Sequence, residues 1–162
     1  MPISEGARLP DATLLQIGAE GPESIELASL LKGRKVIIFG LPGAFTRTCS
    51  SAHMPSIVAS ADALRARGAD EVICLAVNDP FVMDAWGEAT GAKAAGITML
   101  ADPAGELAQA LGITFSAPPV GLLNRLQRFA MIAEDGVVSA LMLEEERGSC
   151  AISGGAAVLE RL

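Results

Sequence analysis

Apolar residues fall along this chain in short runs with two alternating kinds of spacing. Val36-Ile37-Ile38-Phe39 is β-branched and apolar on both faces, as in a central strand covered on both sides. Glu71 to Val77 and Ile97 to Ala101 repeat that pattern. Between the first two runs, Met54, Ile57, Val58, Ala61 and Leu64 recur at helical spacing and define one buried stripe. They predict a helix from about Thr48 to Arg67, ending at Gly68. Pro55 falls inside it and removes the bond to the carbonyl of Ser51, which predicts a kink one turn beyond Cys49. Asn78-Asp79-Pro80 then supplies a cap, with proline at the first helical position, for a second helix over roughly Phe81 to Ala89. Asp102-Pro103 leads into a short helix that stops at Leu111-Gly112. Ahead of all this, Ala12 to Ile17 and Ser24 to Leu31, broken by Gly18, Gly21 and Pro22, read as a small hairpin or arm followed by a helical turn.

Near the C-terminus the style changes. Arg128 to Ala133, a Glu134-Asp135-Gly136 turn and Val137 to Leu143 form a hairpin by the Asp-Gly signal. Ser153 is placed to cap a final helix through Leu162. Strand, helix, strand, helix implies parallel strands joined by right-handed crossovers. With an antiparallel hairpin and a helix appended, this is the order of the thioredoxin fold, an α/β arrangement of a mixed central sheet flanked by helices, here with an N-terminal extension.

Composition narrows the picture. At 162 residues, 51% of them hydrophobic, residues 1–162 form one domain by size, with enough apolar side chains for a sizeable core. The longest apolar runs fall well short of the roughly 20 residues that span a bilayer, so no membrane partner is expected. Met1 to Gly6 carries an acidic residue and a proline and leads into no hydrophobic segment, so a cytosolic location is expected. The net charge of −7 and the lack of a basic tract disfavour nucleic acid. The three cysteines, Cys49, Cys74 and Cys150, are too far apart for CxxC motifs, and His53 is the single histidine, so no metal site is expected. An odd number of thiols in a reducing compartment points to reactivity or burial rather than to a disulfide framework.

The candidate chemistry lies in Gly40-Leu41-Pro42-Gly43-Ala44-Phe45-Thr46-Arg47-Thr48-Cys49. A strand ending in a Pro/Gly turn delivers Thr46 and Cys49 to the start of a helix, where free backbone N–H groups converge on the thiol. A thiol with a pKa near 8.5 is about a tenth or less ionised at neutral pH, so a useful thiolate needs that value lowered by roughly two pH units, about 3 kcal/mol. A helix N-terminus contributes at most about 2 kcal/mol. A guanidinium at contact distance contributes about 4 kcal/mol at an intermediate effective dielectric, so an arginine is required. Arg47, Arg125 and Arg128 are the candidates.

The spacing Pro42-xxx-Thr46-xx-Cys49 resembles the peroxidatic signature of the peroxiredoxins, and its PGAFT form resembles the type II, or peroxiredoxin-5-like, branch. Matching stretches include Ala76-Val77-Asn78-Asp79-Pro80-Phe81-Val82-Met83 with Trp86, Leu100-Ala101-Asp102-Pro103, Arg125-xx-Arg128-Phe129 and Asp135-Gly136, so the likeness covers essentially the whole chain. The resemblance implies a thiol peroxidase in antioxidant defence. Its site would be Cys49, Thr46, Pro42 and the hairpin arginine Arg128, acting on hydrogen peroxide and small organic hydroperoxides. It implies no bound cofactor, a homodimer with Phe45, Phe81, Met83 and Trp86 near its face, and glutathione with glutaredoxin, or thioredoxin, as reductant. By that likeness Thr46 donates to the peroxide while its own oxygen accepts from backbone, Arg128 holds the thiolate and the leaving oxygen, and Pro42 shields the sulfur from water.

Two features depart from the branch. Arg47 stands where proline is usual. For the resolving thiol, Cys74 lies in an apolar strand and reads as buried and inert, while Cys150 lies in a region that carries a resolving cysteine in some members but does not align cleanly with it. Two other readings compete with the peroxidase: a redox-sensing or interaction module that oxidises once with poor turnover, and a Cys49–His53 hydrolase pair on one helix face. Glu144-Glu145-Glu146-Arg147 reads as a solvated loop.

Overall fold

The computed structural model describes residues 2–146 and 150–162. Its centre is β3 (Lys35–Gly40), whose buried Val36, Ile37, Ile38 and Phe39 meet apolar layers on both sides. β3 pairs in parallel with β4 (Glu71–Ala76), which pairs in parallel with β5 (Thr98–Ala101). On its other side β3 runs antiparallel to β8 (Phe129–Glu134), itself hairpinned to β9 (Val137–Leu143). Asp135 and Gly136 turn that hairpin with φ of 50° and 79°, the paired positive values of a tight I′-type turn. The N-terminal hairpin of β1 (Thr13–Gly18) and β2 (Gly21–Glu26) adds to the far edge through β5, giving the order β2-β1-β5-β4-β3-β8-β9. This mixed sheet flanked by helices is the thioredoxin-like arrangement read from the element order.

Helices cover both faces. α1 (Leu27–Leu31) buries Leu27 and Leu31 on the side of Ile38, Leu75 and Leu107, with α4 (Glu106–Leu111) beside it. α2 (Met54–Ala66), α3 (Pro80–Ala89) and α5 (Gly155–Arg161) pack on the opposite face against Phe39, Cys74 and Ile132. Asp79 caps α3 by accepting from the Val82 N–H at 2.9 Å, with Pro80 at the first position as expected.

Four local expectations are corrected. The helix expected from Thr48 begins instead with a π turn over Cys49–His53, in which the Met54 N–H reaches back to the Cys49 carbonyl. The π turn runs straight into α2, so Pro55, which offers no N–H to the carbonyls behind it, sits just after the irregularity, and the change in bonding lies upstream of the expected kink. Ser153 does not cap α5. Gly154 occupies that position, and Ser56 of α2 accepts the Gly155 N–H at 2.7 Å, so one helix caps the other. A two-stranded unit of β6 (Thr114–Ala117) and β7 (Leu122–Leu126), joined by a short 3₁₀ turn, was not anticipated. Finally, Glu144 is buried rather than solvated; Arg147 lies outside the described residues. Among the described residues, no helix is long and apolar enough to cross a membrane.

Candidate active site

The site is built where β3 ends. Gly40 lies in register with Phe129, and a Cβ there would overlap the Phe129 ring. A glycine at this position lets the residue after Arg128 pack directly over the strand end. The next residues are held from three directions: the Leu41 N–H bonds the Leu75 carbonyl (3.1 Å), the Ala44 N–H donates to Asn78 Oδ1 (2.9 Å), and Arg125 Nη1 on β7 donates to the Pro42 carbonyl (3.0 Å). Gly43 has no side chain because the Arg125 guanidinium occupies that space. Phe45 adopts φ of 63°, a costly conformation for an aromatic residue that this bonding over-determines. Thr46 Oγ1 donates to the Gly43 carbonyl at 2.7 Å. Its hydroxyl proton is thus committed to backbone, the reverse of the expected polarity, and its lone pairs are left to accept. The side chain caps no helical N–H.

Cys49 opens the π turn and is fully buried. The turn is fastened at two points. Trp86 Nε1 on α3 donates to Ser50 Oγ at 3.1 Å. His53, fully buried, lies between Arg128 and the C-terminal segment: Arg128 Nη1 is 2.9 Å from its Nδ1, and its Nε2 is 2.9 Å from the Ser153 carbonyl. A guanidinium only donates and a carbonyl only accepts, so the imidazole is neutral with its proton on Nε2. Burial, and next the Arg128 charge, push its pKa down to about 4. Both nitrogens are occupied, so His53 has no free lone pair with which to activate Cys49. The hydrolase arrangement is not formed.

Arg128 lies between β7 and β8 and is buried. Its carbonyl accepts from the Glu144 N–H at 2.9 Å. Glu144 Oε1 in turn accepts from the N–H groups of Ile152 and Ser153 (2.7 and 3.0 Å) and from Ser153 Oγ (3.0 Å). Burial opposes the Glu144 charge, but these donors outweigh it and hold its carboxyl below the usual range. The C-terminal segment is therefore wired to the arginine both through Glu144 and through His53. Arg128 Nε is also buried, and it has no hydrogen-bond partner among the described residues. Leaving such a donor unpaired costs about 1–3 kcal/mol or more.

A cleft of about 310 Å³ opens at this point. Pro42, Thr46, Arg47, Thr48 and Arg128 form one side, and Phe115, Ala117, Val120 and Leu122 of the β6–β7 unit form the other. The structure thus brings Pro42, Thr46 and Arg128 to one opening beside the turn that holds Cys49. Of the three candidate arginines, Arg125 is bonded to the loop backbone, Arg47 is exposed at the rim, and Arg128 is the buried one. Cys74 is fully buried in β4, opposite Phe39, and burial, with the nearby Cys49, pushes its thiol up. Cys150 is half-buried; burial raises its thiol while the Arg128 charge opposes that. Among the described residues no group of three or more His, Cys, Asp or Glu could hold a metal ion.

Sequence reasoning missed what His53 and Glu144 do and the apolar wall of the cleft. The first two left only a weak signal, a single histidine one turn after the cysteine and an acidic residue at a strand end. The wall comes from a strand pair with no clear apolar alternation.

The site thus combines a buried thiol on a π turn beyond the central strand of a thioredoxin-like sheet with a neighbouring cleft lined by a buried arginine. A match to the redoxin family spans residues 4–159. The chain is 45% identical over 147 residues to the chloroplastic peroxiredoxin-2E-2 of Oryza sativa subsp. japonica, covering 88% of this chain and 65% of that protein. It is 38% identical to peroxiredoxin-2B of Arabidopsis thaliana over 99% of both chains. The crystal structure of reduced Prx3 in complex with H2O2 from Vibrio vulnificus superposes with a TM-score of 0.92 at 42% identity, over 98% of each chain. The chain belongs to the redoxin family and, within it, to the type II peroxiredoxins.

Proposed function

We propose that this chain is a cysteine-dependent peroxidase that reduces hydrogen peroxide and small organic hydroperoxides in antioxidant defence. The observation that carries the reading is the buried Arg128, which lines the cleft beside the turn that holds Cys49 and whose Nε–H has no partner among the described residues. A donor left unsatisfied at such cost is expected where charge develops during a reaction. The Cys49 thiolate attacks the terminal peroxide oxygen, an S–O bond forms as the O–O bond breaks, and the leaving alkoxide or hydroxide takes up a proton to depart as alcohol or water, leaving a sulfenic acid. Arg128 Nε donates to the oxygens while negative charge passes from sulfur to the leaving oxygen. Thr46 Oγ1 accepts the peroxide O–H, which orients the O–O bond, and Pro42 offers no N–H and limits water at the sulfur. The relative solved with hydrogen peroxide supports that substrate.

The sulfenic acid is reduced by an external thiol, either glutathione with glutaredoxin or thioredoxin. Cys74, fixed in the middle of the sheet with its thiol pushed up by burial, is the poorer candidate to resolve it. Cys150, half-buried near Arg128, is the better placed of the two internal thiols. Exposed Phe45 on the loop before Cys49 and exposed Phe81 in the first turn of α3 form the face of a homodimer. A redox sensor with poor turnover is the weaker reading, since Arg47 leaves the bonding of the loop intact. The test is peroxide consumption with each reductant system. Sustained turnover with at least one, lost in Cys49→Ser, is expected, and undiminished turnover in that variant would exclude the mechanism.

A further inference from the structure

Hydrogen peroxide needs neither an apolar wall nor a second cation, and the cleft has both. Phe115, Val120 and Leu122 face the opening, and Val120 is 72% exposed. Arg47 stands at the same opening, two residues before Cys49. Its side chain is exposed and has no ion-pair or hydrogen-bond partner among the described residues. The other two arginines at the site are engaged, Arg125 with the Pro42 carbonyl and Arg128 with His53. The acidic groups nearby, Glu145 and Glu146, border a separate depression that also touches Pro42, Phe115 and Arg128. They do not line the cleft that holds Arg47. In a chain of net charge −7 that repels anions at long range, the free guanidinium is a local exception beside an apolar surface.

We propose that Arg47 makes this enzyme favour hydroperoxides whose alkyl chain carries a carboxylate, as in a hydroperoxy fatty acid. The inference rests on the peroxidase reading above. The peroxide group lies at Thr46 and Arg128, the alkyl stretch lies along Phe115, Val120 and Leu122, and the carboxylate pairs with the Arg47 guanidinium at the rim. The chemistry at sulfur is unchanged: the O–O bond is cleaved, Cys49 gains one oxygen, and the hydroxy acid leaves. Proline, usual at this position in the branch, offers no charge. The apolar wall lowers the local dielectric around the pair, so the carboxylate gains more there than it would at a fully solvated arginine.

The test compares single-turnover oxidation of the reduced protein by a hydroperoxy derivative of dodecanoic acid, by its methyl ester and by hydrogen peroxide. The wild-type acid-to-ester rate ratio is expected to be about three to ten at low ionic strength, and to fall as salt is added. In Arg47→Gln the ratio drops to one or below, and Arg47→Lys, which keeps a point charge without the planar fork, retains part of it. A wild-type ratio of one or less, or a ratio unchanged in Arg47→Gln, overturns the proposal while fast oxidation by hydrogen peroxide leaves the peroxidase reading standing. Failure of hydrogen peroxide to oxidise Cys49 in the wild type would remove the peroxidase reading itself.

Discussion

Cys49 and Cys74 are both fully buried and belong to the same apolar cluster, yet their surroundings differ in kind. Cys74 sits in the middle of the sheet, in register with Phe39 on one side and Met99 on the other, where every backbone polar group is engaged in the ladder. Burial there only raises its pKa. Cys49 sits beyond a strand end, on a π turn, next to a cleft whose walls bring a hydroxyl with free lone pairs and an arginine with an unused N–H. Burial removes bulk water from both sulfurs. What separates them is whether unsatisfied polar groups were buried with the thiol. On the proposed mechanism, Cys49 is therefore set apart less by exposure than by unused donors nearby.

The contrast can be broken in several ways. The largest effect is site selectivity. After one equivalent of hydrogen peroxide, mass spectrometry should find oxygen on Cys49 over Cys74 by on the order of a hundredfold or more. Comparable oxidation of both would show that burial alone governs the thiols.

The support behind Arg128 comes next. His53→Ala removes the Nδ1 acceptor and frees the guanidinium to shift, which should slow peroxide attack about tenfold. His53→Gln, able to accept from Arg128 and donate to the Ser153 carbonyl, should recover part of the rate. Equal rates in all three proteins would show that Arg128 needs no such support.

The smallest effect is on stability. His53 has a folded pKa of about 4, below its unfolded value of about 6.5, so the unfolded chain binds the proton first as pH falls. The stabilisation is complete above about pH 6.5 and is lost progressively down to about pH 4, amounting to about 2 kcal/mol by pH 5. Glu144, whose pKa is lowered in the fold, acts in the same direction further down. Urea unfolding at pH 7 and pH 5 should reveal this loss, and His53→Gln should flatten it.

Much of the frame was legible in the sequence because it is written in strong local signals. The β-branched run at Val36–Phe39, the Asp79-Pro80 cap and the Asp135-Gly136 turn each have one favoured local conformation, and the structure realises them. The loop motif located Cys49, Thr46 and Pro42, and the charge argument demanded an arginine without choosing among three. That choice depends on the antiparallel pairing of β3 with β8, which places the residue before Phe129 beside the strand end. Long-range pairing leaves little trace in local pattern. The π turn was hidden because the apolar stripe that marks the helix begins only at Met54, after it. Glu144 reads as part of a solvated loop because nothing in the local pattern marks its partner Ser153 nine residues on, and His53 reads only against Cys49 because its partner Arg128 is distant in sequence. The β6–β7 pair carries short, half-exposed strands around Pro118-Pro119 that match neither period.

On the proposed mechanism, the unused donor of Arg128 is what makes Cys49 a peroxide-reducing thiol. Stopped-flow measurement of the second-order rate of hydrogen peroxide with reduced wild-type protein and with Arg128→Met tests it most directly. Methionine fills similar space without the guanidinium, and a fall of about a hundredfold or more is predicted. A rate within about threefold of the wild type, in a variant whose thermal unfolding is little changed, would contradict the account.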